Sequence, residues 1–188
     1  MKKVGILALQ GDFDAHAKAV EHAGGTPVLV RCSADLEGLD GLIIPGGEST
    51  TMLKLLHEEK LMAPLREFGR QRPIFGTCAG AILLANEVSR PAQESLGLID
   101  IGVERNAYGR QVDSFIAHID DAVPALRGVE AVFIRAPRIR RVGADVEVLM
   151  RHQGEPILVR QGPVYAATFH PEMTDDTRVL SAVLGGAA

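Results

Sequence analysis

The chain has 188 residues, 46% of them hydrophobic and 23% charged, with a net charge of −4 from 20 basic and 24 acidic side chains. That length allows a sizeable core in a single domain over residues 1–188, and a mildly acidic chain without blocks of like charge argues against nucleic acid and anionic membrane as main partners. Apolar runs are of strand length, short of the roughly 20 residues that cross a bilayer.

The opening MKKVGILALQGD has only a superficial likeness to a signal peptide. Its apolar stretch is short and runs into QGDFD without a small-residue cleavage site, so it reads as a first β-strand, VGILALQG (4–11). DFDAHAKAVEHAGG then predicts a helix capped by Asp12 or Asp14, with apolar spacing at Phe13, Ala17 and Val20 and a stop at Gly24-Gly25. TPVLVR and GLIIPGG (41–47) read as the second and third strands. STTMLKLLHEEKLMAPLREFG supplies one or two helices, with Pro64 as the expected break. RPIFGTC is a fourth strand and AGAILLANEV the helix after it. This alternation predicts an α/β fold: a mostly parallel central sheet with helices on both faces, binding its substrate beyond the carboxyl ends of the strands. The second half reads as short strands, GLIDIGVERNAYG, QVDSFIAHI, EAVFIRAP, VEVLMRHQG, EPILVRQG and PVYAATFHPE, expected to add antiparallel strands to that core. DDTRVLSAVLGG closes the chain as a short helix, with Asp175 and Asp176 as its caps.

Cys32 and Cys78 form neither a disulfide framework nor a zinc-type pair, and fit a reducing compartment such as the cytoplasm. Cys78 sits in GTCAG, where a strand meets a helix. A G-x-nucleophile-x-G turn lifts the nucleophile above the sheet, with glycines where the backbone bends sharply. Unpaired N–H groups at a helix start favour an anionic thiolate. A thiolate nucleophile needs a base, and His170 follows 92 residues later at the end of VYAATF. Glu172, across the Pro171 bend, can orient that imidazole and stabilise its charged form. His16, His22, His57, His118 and His152 lack such a partner and are expected at surface or scaffold positions. For an oxyanion hole, IIPGGEST offers the amide of Gly47, and the turn itself offers that of Ala79. Standing alone, the same PGGEST segment is equally a plain strand-to-helix turn capped by Ser49 or Thr50.

These three segments together resemble the triad-type (class I) glutamine amidotransferase domains, whose fold is flavodoxin-like. The segments LALQGD, PGGEST, GTCAGAILLA, RNAYGRQ, FIRAP and FHPE stand in the order found in the glutaminase subunits of pyridoxal 5'-phosphate synthase (the PdxT family). The likeness spans nearly the whole chain, and RNAYGRQVDSF and FIRAP are the segments that separate this family from other amidotransferases. It implies a triad of Cys78, His170 and Glu172, a glutamine pocket lined by Gly46, Gly47 and Glu48, and an oxyanion hole from Gly47 and Ala79. Arg105 would hold the α-carboxylate end of the substrate, which a forked guanidinium suits. Ile134 and Arg135 would complete the pocket through backbone groups, and Gln10 would couple the oxyanion region to the synthase partner. Three positions depart from the family: Ile116 where glutamate is frequent, Thr168 where serine is commoner, and Ala81 where methionine is common.

The resemblance implies hydrolysis of glutamine to glutamate and ammonia, with neither metal nor organic cofactor, and delivery of ammonia to a PdxS-type synthase subunit. It also implies activation by that partner, with a flipped Gly46–Gly47 peptide as the sign of a resting state. A glutaminase serving a different synthase, a non-catalytic regulatory subunit and, more distantly, a peptidase on the same sheet remain alternatives.

Overall fold

A computed structural model describes residues 1–105 and 114–185. Residues 106–113, the greater part of RNAYGRQVDSF, lie outside the described residues. In chain order the elements are β1 (Lys3–Leu7), α1 (Phe13–His22), β2 (Thr26–Val30), β3 (Gly41–Ile44), α2 (Ser49–Glu58) and α3 (Met62–Gln71). There follow β4 (Ile74–Thr77), α4 (Ala79–Leu84), β5 (Ala85–Ser89), β6 (Ile99–Glu104), β7 (Ser114–Ile119) and β8 (Val129–Ile134). The last are β9 (Arg138–Val142), β10 (Glu147–His152), β11 (Glu155–Gln161), β12 (Val164–Ala167) and α5 (Arg178–Val183).

A seven-stranded sheet in the order β10-β11-β12-β4-β3-β1-β2 organises the molecule. Strands β12, β4, β3, β1 and β2 run parallel, and β11 and β10 continue antiparallel at one edge. The parallel strands are short unbroken apolar runs because both faces are covered. Alternate side chains enter two cores: Ile6, Ile43 and Phe75 pack with α1 and α5, while Leu7, Ile44 and Ile74 pack with α2, α3 and α4. Phe75 and Phe169 are fully buried, each worth about 1.5–3 kcal/mol in apolar burial. No helix among the described residues is long and apolar enough to cross a membrane.

Several boundaries differ from the sequence reading. The first strand ends at Leu7, leaving residues 8–12 as a loop. The break between α2 and α3 falls at Lys60, whose φ is +56°, and Pro64 sits in the first turn of α3, where its missing N–H costs nothing. Residues Ala85–Ser89 leave the expected helix and pair in parallel with β6, so α4 is a turn and a half long. Segment β12 is parallel to β4, not antiparallel. The strands β5, β6 and β9 form a separate small sheet, and β7 with β8 an antiparallel pair, so only β10 and β11 join the main sheet as antiparallel additions. Neither aspartate before α5 is its cap: that position is Thr177, and Asp176 just before it accepts from the Arg178 N–H at 3.0 Å.

Helix α4 lies close on β3: a Cβ added at Gly80 would stand 2.0 Å from the Ile44 carbonyl oxygen. Gly80→Ala is therefore expected to lower the unfolding free energy by about 1–3 kcal/mol, read by urea denaturation.

Candidate active site

The parallel strand order brings distant segments to one edge. Thr77 at the end of β4 is in register with Ala167 of β12, and Gly76 with Ile44 of β3. The chain beyond β4 is Cys78, beyond β12 it is Thr168-Phe169-His170, and beyond β3 it is Pro45-Gly46-Gly47. The strand carrying the cysteine thus lies between the strand carrying the histidine and the strand carrying the glycines.

Cys78 is where β4 turns into α4, with φ +50° and ψ −105°. A residue with a side chain in such a region carries about 1–3 kcal/mol of strain. The backbone is held there from both sides, its N–H donating to Ala167 O at 2.9 Å and its carbonyl accepting from Ile82 N–H at 3.2 Å. The side chain is nearly buried and acts on His170, favouring its charged form.

His170 is anchored by its own N–H, which donates to the Val132 carbonyl of β8 at 2.8 Å. Pro171 opens a short 3-10 turn, Pro171–Met173, that swings Glu172 back beneath the imidazole. Nδ1 of His170 lies 2.6 Å from Glu172 Oε1. Burial opposes a charge on His170, but hydrogen bonds to Cys78 and Glu172 and the Glu172 charge outweigh it, raising the pKa to about 10. Burial also opposes charge on Glu172, yet His16 and His170 beside it hold its carboxyl below the usual range. The pair is an imidazolium seated on a buried carboxylate.

His16 departs from the sequence reading. It is fully buried, with Nε2 3.1 Å from Thr77 Oγ1 and 3.4 Å from Glu172 Oε2. Burial lowers its pKa, against the pull of Glu172. Its one sequence signal was a histidine on the inner face of the helix that follows β1. His22 and His118 are exposed, His57 pairs with Glu94, and His152 stacks near Phe115 and Phe133.

A cavity of about 420 Å³ opens over Cys78, lined by Gln10, Gly47, Glu48, Ser49, Cys78, Ala79, Ile82, Arg105, Ile134, Arg135, Pro137 and His170. Nearly every residue expected at the site is in this wall. Glu172 and Gly46 are the exceptions. Glu172 sits behind His170, and Gly46 lies where an added Cβ would be 2.6 Å from His170 Cε1 and 3.4 Å from Cys78 Cβ. Its carbonyl accepts from Asp12 N–H at 3.3 Å, so the Gly47 N–H points the opposite way, and flipping this peptide would break that bond. Gly47 has φ +147° and leaves no room for a side chain, since Gln10 Oε1 packs on it. The same oxygen accepts from Glu48 N–H at 3.0 Å, so Gln10 fastens the glycine turn. Glu48, rather than Ser49 or Thr50, caps α2, accepting from Thr50 N–H at 3.1 Å and Thr51 N–H at 2.6 Å. Burial works against its charge, but those donors hold its carboxyl below the usual range.

Arg105 is nearly buried, donating to Thr50 Oγ1 at 2.8 Å and lying 3.6 Å from Glu48 Oε1. Ser49 and Pro137 are wall residues that the sequence did not point to; Ser49 Oγ donates to Gln93 Oε1 at 3.0 Å. Arg135 has φ +44°, an uncommon backbone for arginine, which turns the chain at the cavity mouth. Ile116 is exposed and lines a separate cavity with Phe115 and Phe133. Thr168 and Ala81 are buried and outside the wall over Cys78.

A cysteine on a strand-to-helix turn at the centre of a parallel sheet, backed by a histidine and a glutamate from the neighbouring strand, is the architecture of glutamine amidotransferases. The solved structure of a glutamine amidotransferase superposes with a TM-score of 0.90 at 47% identity, covering 97% of this chain and 98% of that one. PurLQS of Thermotoga maritima, at 18% identity and a TM-score of 0.74 over 98% of this chain and 99% of that one, shares the fold. This chain belongs to the SNO glutamine amidotransferase family, whose sequence pattern matches residues 6–184. It is 58% identical to the pyridoxal 5'-phosphate synthase subunit PdxT of Solibacter usitatus, over 98% of each chain. It is 50% identical to the subunit of the same name from Bacillus cytotoxicus, over 95% of this chain and 91% of that one.

Because the His170 pKa is raised, the imidazolium and the stability it contributes are present in full below the ordinary histidine value of about 6.5 and are lost as pH rises through about 10. Glu172→Gln removes the anion and is expected to bring the His170 midpoint down by about 1–2 pH units, the worth of a charge-assisted hydrogen bond. Imidazole NMR titration reads it directly.

Proposed function

We propose that the chain is a glutaminase, supplying ammonia from glutamine for pyridoxal 5'-phosphate synthesis, with Cys78, His170 and Glu172 as its triad. The observation that carries this reading is the convergence of those three residues from two adjacent strands beneath one cavity, whose wall holds Gly47, Glu48, Ala79, Arg105, Ile134 and Arg135. The identity to PdxT subunits over nearly the full length supports the same assignment.

In this mechanism the Cys78 thiolate attacks the side-chain carboxamide carbon of glutamine. The amides of Gly47 and Ala79 stabilise the oxyanion of the tetrahedral intermediate. His170, already protonated by its setting, gives a proton to the departing nitrogen, and the C–N bond breaks to leave ammonia and a γ-glutamyl thioester. The neutral imidazole then takes a proton from water as the water adds to the thioester carbon. Collapse releases glutamate and returns the proton to the cysteine–histidine pair. Glu172 keeps its place under Nδ1 throughout and aims Nε2 at the reacting atoms. Arg105 pairs with the substrate α-carboxylate, held ready by Thr50 and Glu48.

The ammonia passes to a PdxS-type synthase subunit, and Gln10 couples the two subunits through its hold on the Gly47–Glu48 turn. Docking of that partner reorients the Gly46–Gly47 peptide away from Asp12, so the isolated subunit is slow.

The deciding experiment is glutamate release from glutamine, with and without the PdxS-type subunit, for the wild type and Cys78→Ala. Partner-dependent release that vanishes in the variant is the expected result. Equal release without the partner would retain the glutaminase and refute the gated peptide. No release from a confirmed complex would refute catalysis. Arg105→Gln is expected to raise KM for glutamine by about 10–100-fold, the worth of a charge-assisted pair, with a smaller change in kcat.

A further inference from the structure

The triad leaves one oxygen of Glu172 without a use. Oε1 accepts the hydrogen bond of His170 Nδ1 at 2.6 Å, whereas Oε2 is buried and carries no full hydrogen bond among the described residues. A carboxylate in that setting is costly unless both oxygens are served. The group facing Oε2 is Nε2 of His16, at 3.4 Å, on the inner face of α1. We propose that His16 is a positioning residue of this site, giving its Nε2–H to Glu172 Oε2 and so keeping Glu172 ionised and turned toward His170. The proposal rests on the glutaminase reading for its kinetic consequences, and on geometry alone for its effect on His170.

The tautomer follows from the neighbours. The groups facing the ring are Thr77 on β4, Glu172 and His170 beyond β12, and Asp12 at the end of the loop before α1. If Nδ1 carried the proton, a buried donor would lack an acceptor among the described residues, and the Nε2 lone pair would face a carboxylate oxygen. With the proton on Nε2, the ring donates into the space between Thr77 Oγ1 and Glu172 Oε2, and only an acceptor is left unpaired at Nδ1. Burial of the ring works against its charged form, and the Nε2 atom is the one that faces Glu172 Oε2. A closure of a few tenths of an ångström turns the 3.4 Å contact into a full hydrogen bond.

The test compares His16→Gln, whose amide nitrogen reaches about as far as Nε2, with His16→Asn, one methylene shorter, and His16→Leu, which has no donor. Imidazole NMR of full-length protein gives the His170 midpoint, and the alkaline limb of kcat/KM for glutamine in the complex with the synthase subunit reports it in catalysis. The short and apolar variants are expected to lower the midpoint and the limb by about one pH unit, and kcat by about tenfold, with KM within about twofold. His16→Gln is expected to restore the midpoint. A merely structural histidine would lower thermal stability and leave both midpoints in place; that result overturns the proposal. A shift that His16→Gln fails to restore also overturns it. If wild-type protein releases no glutamate, the glutaminase reading fails, and the NMR midpoints still decide the role of His16.

Discussion

The parallel pairing of β12 with β4 is the constraint on which the site depends. Four consecutive pairs, Val164 with Ile74, Tyr165 with Phe75, Ala166 with Gly76 and Ala167 with Thr77, set the register. Because the strands are parallel, both chains leave the sheet at the same edge, and Cys78 and His170 emerge side by side. Antiparallel pairing would have put them at opposite ends of the strands. The bond from Cys78 N–H to Ala167 O extends the ladder by one rung and holds the strained turn in place. The strain at the cysteine is thus offset by sheet hydrogen bonding and by the two apolar cores that clamp the sheet.

Electrostatics refine what the register places. A buried imidazolium on a buried carboxylate is stable only because each has a short, aimed partner. The price of enclosing these charges is met by geometry: the Pro171 bend for Glu172, the β8 carbonyl for His170, and the inner face of α1 for the remaining oxygen. The oxyanion side is built differently, from backbone. There Gln10 and Asp12 hold the glycine turn by hydrogen bonds to main-chain atoms.

Much of this was legible in the chain itself. Short apolar runs ending at glycine or proline mark β1, β3 and β4, because buried parallel strands have no polar face to interrupt them. GTCAG and FHPE stand out because a sharp turn and a bend each require particular residues. Strand β9 was illegible: RIRRV carries three arginines in five residues, and it becomes a strand because Glu104, Glu155, Glu87 and Asp100 accept them. Strand β5 was hidden for the opposite reason, since ANEVS follows α4 without a breaker and only its pairing with β6 takes it out of the helix. His16 was passed over because its partner lies far along the chain, and a helix pattern records which face is buried without saying what waits there.

The connection from β1 into α1 is short, and its residues hold separate fixed points: Gln10 the Glu48 amide, Asp12 the Gly46 carbonyl, and His16 the space beside Glu172. Surface connections generally tolerate changes of length. This one does not have that freedom. One residue gained or lost would rotate α1 by about 100° relative to the loop before it, and whichever end kept its partners, the other would lose them. Drift in this segment is therefore confined to substitutions that preserve its spacing, and a designer who wished to lengthen a loop of this molecule would have to look elsewhere, to Gly154 or Gly162, whose surroundings are open.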